Sequence, residues 1–163
     1  MLLTLTIGTS LALGVIDIGL KNTITPRGIV SFEFCGFTAS CEAALMEWRD
    51  KGQALAMLSL GLDYLYMVLY PGLICVALLM IAPRVAKNTY GITMFAAWLA
   101  PAMTLADSIE NYALIQVILN GSGDTFGVLA GIFASIKFVI LAFTLSWLLF
   151  TTLRYVTFGR PQM

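Results

Sequence analysis

The sequence predicts an all-α, polytopic membrane protein: a four-helix transmembrane bundle with a short interfacial helix in the first loop. Hydrophobic residues make up 60% of the 163 residues and charged residues only 11%, whereas soluble domains carry roughly 25% charged residues. The mean hydropathy is +0.91. Because a spanning helix needs about 20 apolar residues, the chain has room for a few spans and for no separate water-soluble domain. We therefore expect residues 1–163 to form a single transmembrane domain.

Four apolar stretches supply the spans, and charged or turn-forming residues separate them. The predicted spans cover residues 2–20, 53–82, 92–119 and 126–153. We expect each to be a helix, since lipid offers the backbone no hydrogen-bond partner outside the segment. The third span ends at a strong turn signal, Asn120-Gly121-Ser122-Gly123, which predicts a tight hairpin between the last two spans.

The first twenty residues have two interpretations. A signal peptide carries Lys or Arg before its apolar run, and residues 1–4 contain neither. We therefore expect a retained span. Cleavage at the small-x-small site Ala12-Leu13-Gly14 is the alternative, and it would leave three spans with the mature amino end outside.

The loop at residues 21–52 is the one long connection. Its second half, from Ser40 to Trp48, suits a short interfacial helix, with Ser40 as the amino-terminal cap and Trp48 near the lipid headgroups. Membrane immersion of part of the loop, such as residues 32–37, is an alternative.

Two of the three cysteines, Cys35 and Cys41, lie in this loop. On the oxidising side of a membrane they could form a disulfide that closes a small ring. Their Cys-x5-Cys spacing is neither a thioredoxin-type nor a metal-binding pattern. Cys75 falls inside the second span, where we expect it to act as a small packing residue.

Lys and Arg divide equally between the two sides of the membrane, so their number alone does not orient the chain. The amino-terminal side carries Arg84, Lys87, Arg154 and Arg160, and the other side carries Lys21, Arg27, Arg49 and Lys51. The first group sits in short flanks without acids, which favours both termini in the cytoplasm.

The most informative residues are ionisable groups inside the predicted spans. Asp63, Asp107, Glu110 and Lys137 lie there, and Asp17 lies near the end of the first span. Such groups cost about 2.5 to 3.5 kcal/mol each on insertion scales, so they normally face the bundle interior and find partners.

The hairpin geometry predicts which of these groups meet. If the chain pivots on Ser122, Asp107 and Lys137 lie at equal offsets from the turn, about 22 Å along their helices at 1.5 Å per residue. They are therefore expected to form a salt bridge. Asp107, Glu110 and Asn111 share one face of a helix, and the same construction about residues 87–88 brings Asp63 to their level. The predicted pocket lining is Tyr66, Tyr70 and Tyr112.

This polar cluster is either structural or functional. Polar residues join membrane helices without any ligand, and a surplus of acid over base also suits a proton or cation site.

Pro71 and Pro101 could bend their helices. The GxxxG pattern at Gly127 and Gly131 is expected to seat the fourth helix against the third, or alternatively against a partner subunit.

Three segments together form a recognisable pattern: Asp63-Tyr64-Leu65-Tyr66, Ala106-Asp107-Ser108-Ile109-Glu110-Asn111, and Lys137. With them the chain resembles an uncharacterised family of small bacterial four-helix integral membrane proteins, in which an acidic stretch comparable to residues 31–48 precedes the second helix. The resemblance implies the four-helix architecture, the polar cluster and a bacterial inner membrane. It implies no substrate, cofactor or catalytic role.

Composition also narrows the function. The chain has no histidine and zero net charge, so we expect no catalytic residue, no metal site, no cofactor and no nucleic-acid partner. The expected partners are the lipid bilayer and a homo-oligomer or larger membrane complex. The first hypothesis is a non-enzymatic accessory or interaction subunit; the second is a proton- or cation-coupled transporter or a small-ligand binding protein. An enzyme acting on a lipid or quinone would need a nucleophile and base that the sequence does not show.

Overall fold

The computed structural model describes residues 1–121 and 124–158 and is helical almost throughout. The helices are α1 (Leu2–Ile18), α2 (Ile29–Glu33), α3 (Cys35–Thr38), α4 (Cys41–Ile81), α5 (Lys87–Asn120) and α6 (Asp124–Phe158), with a short 3-10 helix, Ala82–Arg84, after α4. These two stretches of chain contain no strand. The predicted all-α class is confirmed.

Three helical segments are long and apolar enough to cross a membrane: Cys41–Arg84, Lys87–Asn120 and Thr125–Thr157. They fit the predicted multi-pass membrane class. The first apolar helix, α1, has 17 residues and is shorter than these three. Ser122 and Gly123 of the predicted turn lie outside the described residues, as does Arg160; Gly121 closes α5 with a positive φ of 68°.

The three long helices run up, down and up, so that α4 and α6 are parallel to each other. The returning helix, α5, packs along both of them, whereas α4 and α6 touch each other much less. The shorter α1 packs against α4. A gap therefore lies between α4 and α6, with α5 behind it.

Apolar side chains pack in two separate clusters along α5. One contains Ala96, Ala97, Ala100 and Met103 and faces Ile74 and Leu78 of α4. The other contains Ala113, Leu114 and Val117 and packs with Phe32 and Trp48. The polar residues 107–111 lie between the two clusters, so each level of the bundle either buries apolar surface or pairs polar groups.

The helix predicted at the end of the first loop is present as the first two turns of α4, and a kink at Arg49 (φ 50°, ψ −168°) separates it from the long span. Ser40 precedes it but does not cap it, because its hydroxyl pairs with the Thr38 hydroxyl at 2.7 Å. Trp48, which we expect at the depth of the headgroups, is 6% exposed, and its indole N–H donates to the Leu20 carbonyl at 2.9 Å.

The first part of the loop, α2 and α3, packs against α6 and brings part of the loop into the bundle. Gly36 meets Gly127 so closely that a Cβ on Gly127 would lie 3.1 Å from the Gly36 Cα. A Cβ on Gly131 would lie 2.9 Å from the Phe37 ring. The GxxxG glycines thus face α3, not α5 as expected, because only glycine lets the loop backbone approach the α6 backbone this closely.

Candidate functional site

The polar face of α5 is the centre of the site. Asp107, Glu110 and Asn111 follow one another at i, i+3 and i+4 and therefore share one face of the helix. They are only 1%, 0% and 2% exposed. Their side chains are held between α4 and α6, where neither water nor lipid can satisfy them, so each needs a protein partner.

Lys137 of α6 supplies the single positive charge at this level. Its Nζ lies 3.1 Å from Asp107 Oδ1 and 2.9 and 2.8 Å from the two carboxylate oxygens of Glu110. The Lys137 side chain is 9% exposed. The pairing of Lys137 with Asp107 that equal offsets from the turn predict is therefore present, and Glu110 adds a second, closer partner.

Glu33 of α2 is a fourth acid in the same place. Its Oε1 lies 3.7 Å from Lys137 Nζ. The residue is 8% exposed, and Oε2 is buried without a hydrogen-bond partner among the described residues. Burial raises the pKa of the Glu33 carboxyl to about 7; the charges of Asp107 and Asp63 add to the rise, and Lys137 opposes it.

The predicted topology places Glu33 in the first loop, outside the polar cluster, so its position beside Lys137 is a finding of the structure. Flanking residues carried a signal: Glu33 stands between Phe32 and Phe34, and it is the one charged residue between Arg27 and Glu42. Phe is among the residues most often buried, and a buried Glu is nearly always paired, so an acid between two phenylalanines was a candidate for a paired, buried position. Phe32 itself is fully buried.

The remaining acid, Asp63 of α4, completes the cluster from the other side. Asn111 donates from Nδ2 to Asp63 Oδ2 at 2.7 Å, and Tyr70 donates from its hydroxyl to Asp107 Oδ2 at 3.0 Å. The predicted proximity of Asp63 to the α5 stripe is present. The described cluster therefore holds the carboxylates of Glu33, Asp63, Asp107 and Glu110 around one ammonium.

Proline in α4 contributes a further link between helices. Pro71 has no N–H to donate to the carbonyl of Met67, one helical turn earlier. Thr104 of α5 donates its hydroxyl to that Met67 carbonyl at 2.7 Å. The break expected at Pro71 thus provides an acceptor that ties α4 to α5 beside the cluster.

Two cavities adjoin the acids. The larger, about 440 Å³, lies between α4 and α6; its lining consists of Glu33, Asp63, Tyr66, Tyr70, Leu73, Ile74, Asp107, Lys137, Phe138, Leu141 and Leu145. The smaller, about 200 Å³, lies toward α1 and includes Gly14, Asp17 and Ser59 in its wall. Glu33 and Asp63 are the two residues common to both linings.

Of the three tyrosines predicted to line a pocket, two line an acidic cavity and one does not. Tyr66 and Tyr70 line the larger cavity, with ring centroids 5.0 Å apart. Tyr112 does not line either acidic cavity; it is 53% exposed and its ring packs edge-on against Phe126 at 6.4 Å. Tyr112 directly follows Asn111, so its side chain points about 100° away from that of Asn111 around α5.

Asp17 and the cysteines lie beside the cluster. Asp17 forms an ion pair with Lys21 at 3.3 Å and accepts the backbone N–H of Ile29 at 2.7 Å, so it holds the start of α2 and is not a fifth member. Cys35, two residues after Glu33, forms a disulfide with Cys41. Cys75 is a free thiol.

A third cavity, about 640 Å³, lies at the far end of the bundle and shares no residue with the acidic ones. Arg84 and Arg154 line it together with Thr89, Phe150 and Tyr155. The chain carries no acid between residues 64 and 106 or between 138 and 158. Charge is therefore separated along the bundle, with acids around Lys137 and bases at this end.

Asp107 and Glu110 converge on the Lys137 ammonium, which occupies the point between them. In the parts of the chain that the structure describes, no group of three or more His, Cys, Asp or Glu side chains has the geometry of a metal site. Comparison with protein-family models, curated proteins and solved structures found no significant match to this chain.

Proposed function

We propose that this chain is a non-enzymatic, multi-pass membrane protein that binds an exchangeable proton or other small cation at Glu33 and Asp63. The observation that carries the proposal is the position of these two carboxylates in the wall shared by two cavities. A carboxylate reachable from two sides of a bundle can take up a cation from one side and release it to the other. Such a site fits a proton- or cation-coupled carrier.

The charge balance supports exchange at this cluster. Four carboxylates lie around one ammonium, three of them buried and Asp63 half-buried, so full ionisation would leave three negative charges uncompensated. An unpaired buried charge costs several kcal/mol, and a buried carboxyl normally takes up a proton or a cation instead. The surplus is the reason that a purely structural ion pair does not account for the cluster.

Partners distinguish the fixed acids from the exchangeable ones. Asp107 and Glu110 contact Lys137 at 3.1 Å or less and hold its charge in place. Glu33 is farther, at 3.7 Å, and lines both acidic cavities, while the Asp63 carboxylate accepts from the neutral amide of Asn111. Glu33 and Asp63 are therefore the groups on which a cation can replace a proton.

The proposed membrane arrangement has four spans and both termini in the cytoplasm. The fourth span is α1, whose 17 residues are at the short end of the spanning range and expose Leu3, Leu11 and Val15 on the outer face. The basic end with Arg84 and Arg154 suits the cytoplasmic side under the positive-inside rule. The family resemblance supports a bacterial inner membrane.

A second candidate function is the accessory or interaction subunit. The network joins four helices, α2, α4, α5 and α6, which favours a role in fixing the bundle for a larger membrane complex. On this view the cluster binds nothing, and its charge state stays constant across the working pH range.

Thermal unfolding of the purified protein in nanodiscs separates the two candidates. The proposal expects the melting temperature to depend on pH and on sodium concentration at constant ionic strength, and both dependences to weaken in Glu33→Gln. The control is Glu47→Gln, which removes an exposed acid of α4. If pH and sodium shift the melting temperature equally in wild type, Glu33→Gln and Glu47→Gln, an exchangeable site at Glu33 is refuted.

Flux into proteoliposomes then tests transport. Wild-type protein should carry protons or sodium down an imposed gradient, and Asp63→Asn should reduce the flux by tenfold or more. Equal flux in wild type, Asp63→Asn and protein-free liposomes would restrict the role to binding or assembly.

A further inference from the structure

The larger cavity is charged at one end and apolar at the other. Because α4 and α6 are parallel, the residues that follow Asp63 and those that follow Lys137 run in the same direction along the cavity. The α4 wall extends from Asp63 to Ile74, about 16 Å at 1.5 Å per residue. The α6 wall extends from Lys137 to Leu145, about 12 Å. The cavity is therefore an elongated slot with the acids at one end.

The charged end suits a cation, although a lysine lines it. Asp107 and Glu110 together outweigh the charge of Lys137, so the lysine leaves no net positive charge there. Glu33 and Asp63 add two further carboxylates. Tyr66 and Tyr70 line the same stretch of wall, and aromatic rings also attract an ammonium group. Hydroxyl and carboxylate oxygens there can accept the hydrogen bonds that an ammonium donates.

The opposite end of the slot is apolar and reaches the outer surface of the bundle. Leu73, Ile74, Leu141 and Leu145 line it, and Leu145 is 45% exposed. Leu141 and Leu145 lie near the middle of α6 (Asp124–Phe158), so this surface faces the acyl chains when the bundle spans a membrane. An apolar tail can thus enter from the bilayer, and burying it against these side chains is favourable.

We propose that the slot between α4 and α6 binds an amphiphilic amine, with one protonated amino group between Glu33 and Asp63 and one apolar tail along Leu141 and Leu145. A volume of about 440 Å³ is within the usual range for small-molecule pockets. The inference rests on the proposed function and names the chemical class of its cation. The proposed function itself requires only that some cation exchanges at the cluster.

Binding of four probes to the protein in nanodiscs tests the two halves of this ligand. Decylamine has the charge and the tail, methylamine only the charge, decanol only the tail, and decanoate the tail with the opposite charge. Binding is measured with labelled probes, and binding to empty nanodiscs is subtracted. Decylamine should bind at least tenfold more tightly than each of the other three.

Two matched pairs of variants locate the site. Asp63→Asn should weaken decylamine binding at least tenfold, and Glu47→Gln, with an equal loss of charge on an exposed surface, should leave it unchanged. Leu141→Phe narrows the apolar end and should weaken decylamine binding. Val139→Phe, at a side chain that is 69% exposed, should not. A melting curve for each variant identifies any that fails to fold, and Glu33→Gln then replaces Asp63→Asn.

The outcomes separate this inference from the proposed function. Equal binding of all amphiphiles, or decylamine binding unaffected by Asp63→Asn and Leu141→Phe, would overturn the amine site. Methylamine binding as tightly as decylamine would overturn the requirement for a tail. In both cases a pH- and sodium-dependent melting temperature that Glu33→Gln weakens would leave the proposed function standing, whereas its absence would remove both.

Discussion

The ammonium of Lys137 lies 2.9 Å from Oε1 and 2.8 Å from Oε2 of Glu110, a residue 27 positions earlier in the chain. Both carboxylate oxygens of Glu110 therefore face one buried charge, and Asp107 contacts the same ammonium from one helical turn away. This arrangement makes Lys137 the residue that neutralises the interior of the bundle. Its loss should affect every acid of the cluster.

Replacing Lys137 by Met should destabilise the fold by about 3–5 kcal/mol, because removal of one partner leaves buried charges uncompensated. The double variant Lys137→Met with Asp107→Asn should recover part of the loss, since it removes one of the unpaired acids. Unfolding in mixed micelles provides the measurement, and Lys87→Met, at an exposed position of α5, is the control. Equal stability of the single and double variants would contradict the claim that Asp107 is left as an unpaired buried charge when Lys137 is removed.

The close approach of α3 to α6 predicts an opposite pair of effects for two glycine substitutions. Gly36→Ala would place a Cβ against the Gly127 backbone and should cost about 1–3 kcal/mol, as overpacking does. Gly61→Ala, where nothing lies within 4 Å, should be neutral or stabilise α4 by about 0.5–1 kcal/mol. The free energy of unfolding checks both. Similar effects of the two changes would contradict the glycine contact.

The disulfide between Cys35 and Cys41 should stabilise the oxidised protein. Chain entropy for a ring of this size gives about 2 kcal/mol. A reductant should therefore lower the melting temperature of wild type and of Cys75→Ala by the same amount, and should have no effect on the double variant Cys35→Ser, Cys41→Ser. A wild-type melting temperature that ignores the reductant would show that the disulfide does not contribute to stability.

The hydrogen bond from Thr104 to the Met67 carbonyl should be worth about 1 kcal/mol. In a chain that keeps Pro71, Thr104→Val removes the donor and leaves the Met67 carbonyl without a partner. In a Pro71→Ala background the restored N–H of residue 71 can bond to the same carbonyl, so Thr104→Val should cost less there. A double-mutant cycle on unfolding free energies measures the difference. Additive effects would mean that Pro71 does not create the acceptor.

Much of the site follows from spacing along the chain. Equal offsets from Ser122 in the sequence predict that Asp107 is level with Lys137, and the i, i+3, i+4 pattern turns Glu110 and Asn111 the same way. These relations need only the helical rise and the hairpin, which composition and turn residues already specify. For the same reason Asp63 could be placed beside Asn111.

Long-range packing accounts for what the sequence could not supply. Glu33 enters the cluster because Gly36 fits against Gly127, a contact between a loop and a helix about 90 residues later that no periodicity reveals. Trp48 is buried because it meets Phe32 at 4.8 Å between ring centroids and finds the Leu20 carbonyl. Tyr112 was misassigned because one residue along a helix turns the side chain by about 100°.

Infrared difference spectra of the carboxyl groups test the exchangeable acid most directly. Burial raises the pKa of Glu33 from 4.5 to about 7, so the folded state holds this proton more tightly than the unfolded state. The resulting stability, about 3 kcal/mol, is present below about pH 4.5 and is lost as pH rises through about 7. Glu33 faces Lys137 and Asp107 from the other helices, along with Asp63 and Glu110.

The measurement compares wild type, Glu33→Gln and Glu47→Gln in nanodiscs between about pH 5 and about pH 9, which bracket the raised pKa. Wild type and Glu47→Gln should lose a protonated-carboxyl band with a midpoint near neutrality, and Glu33→Gln should lack that band. Identical spectra for all three proteins would contradict an exchangeable proton at Glu33.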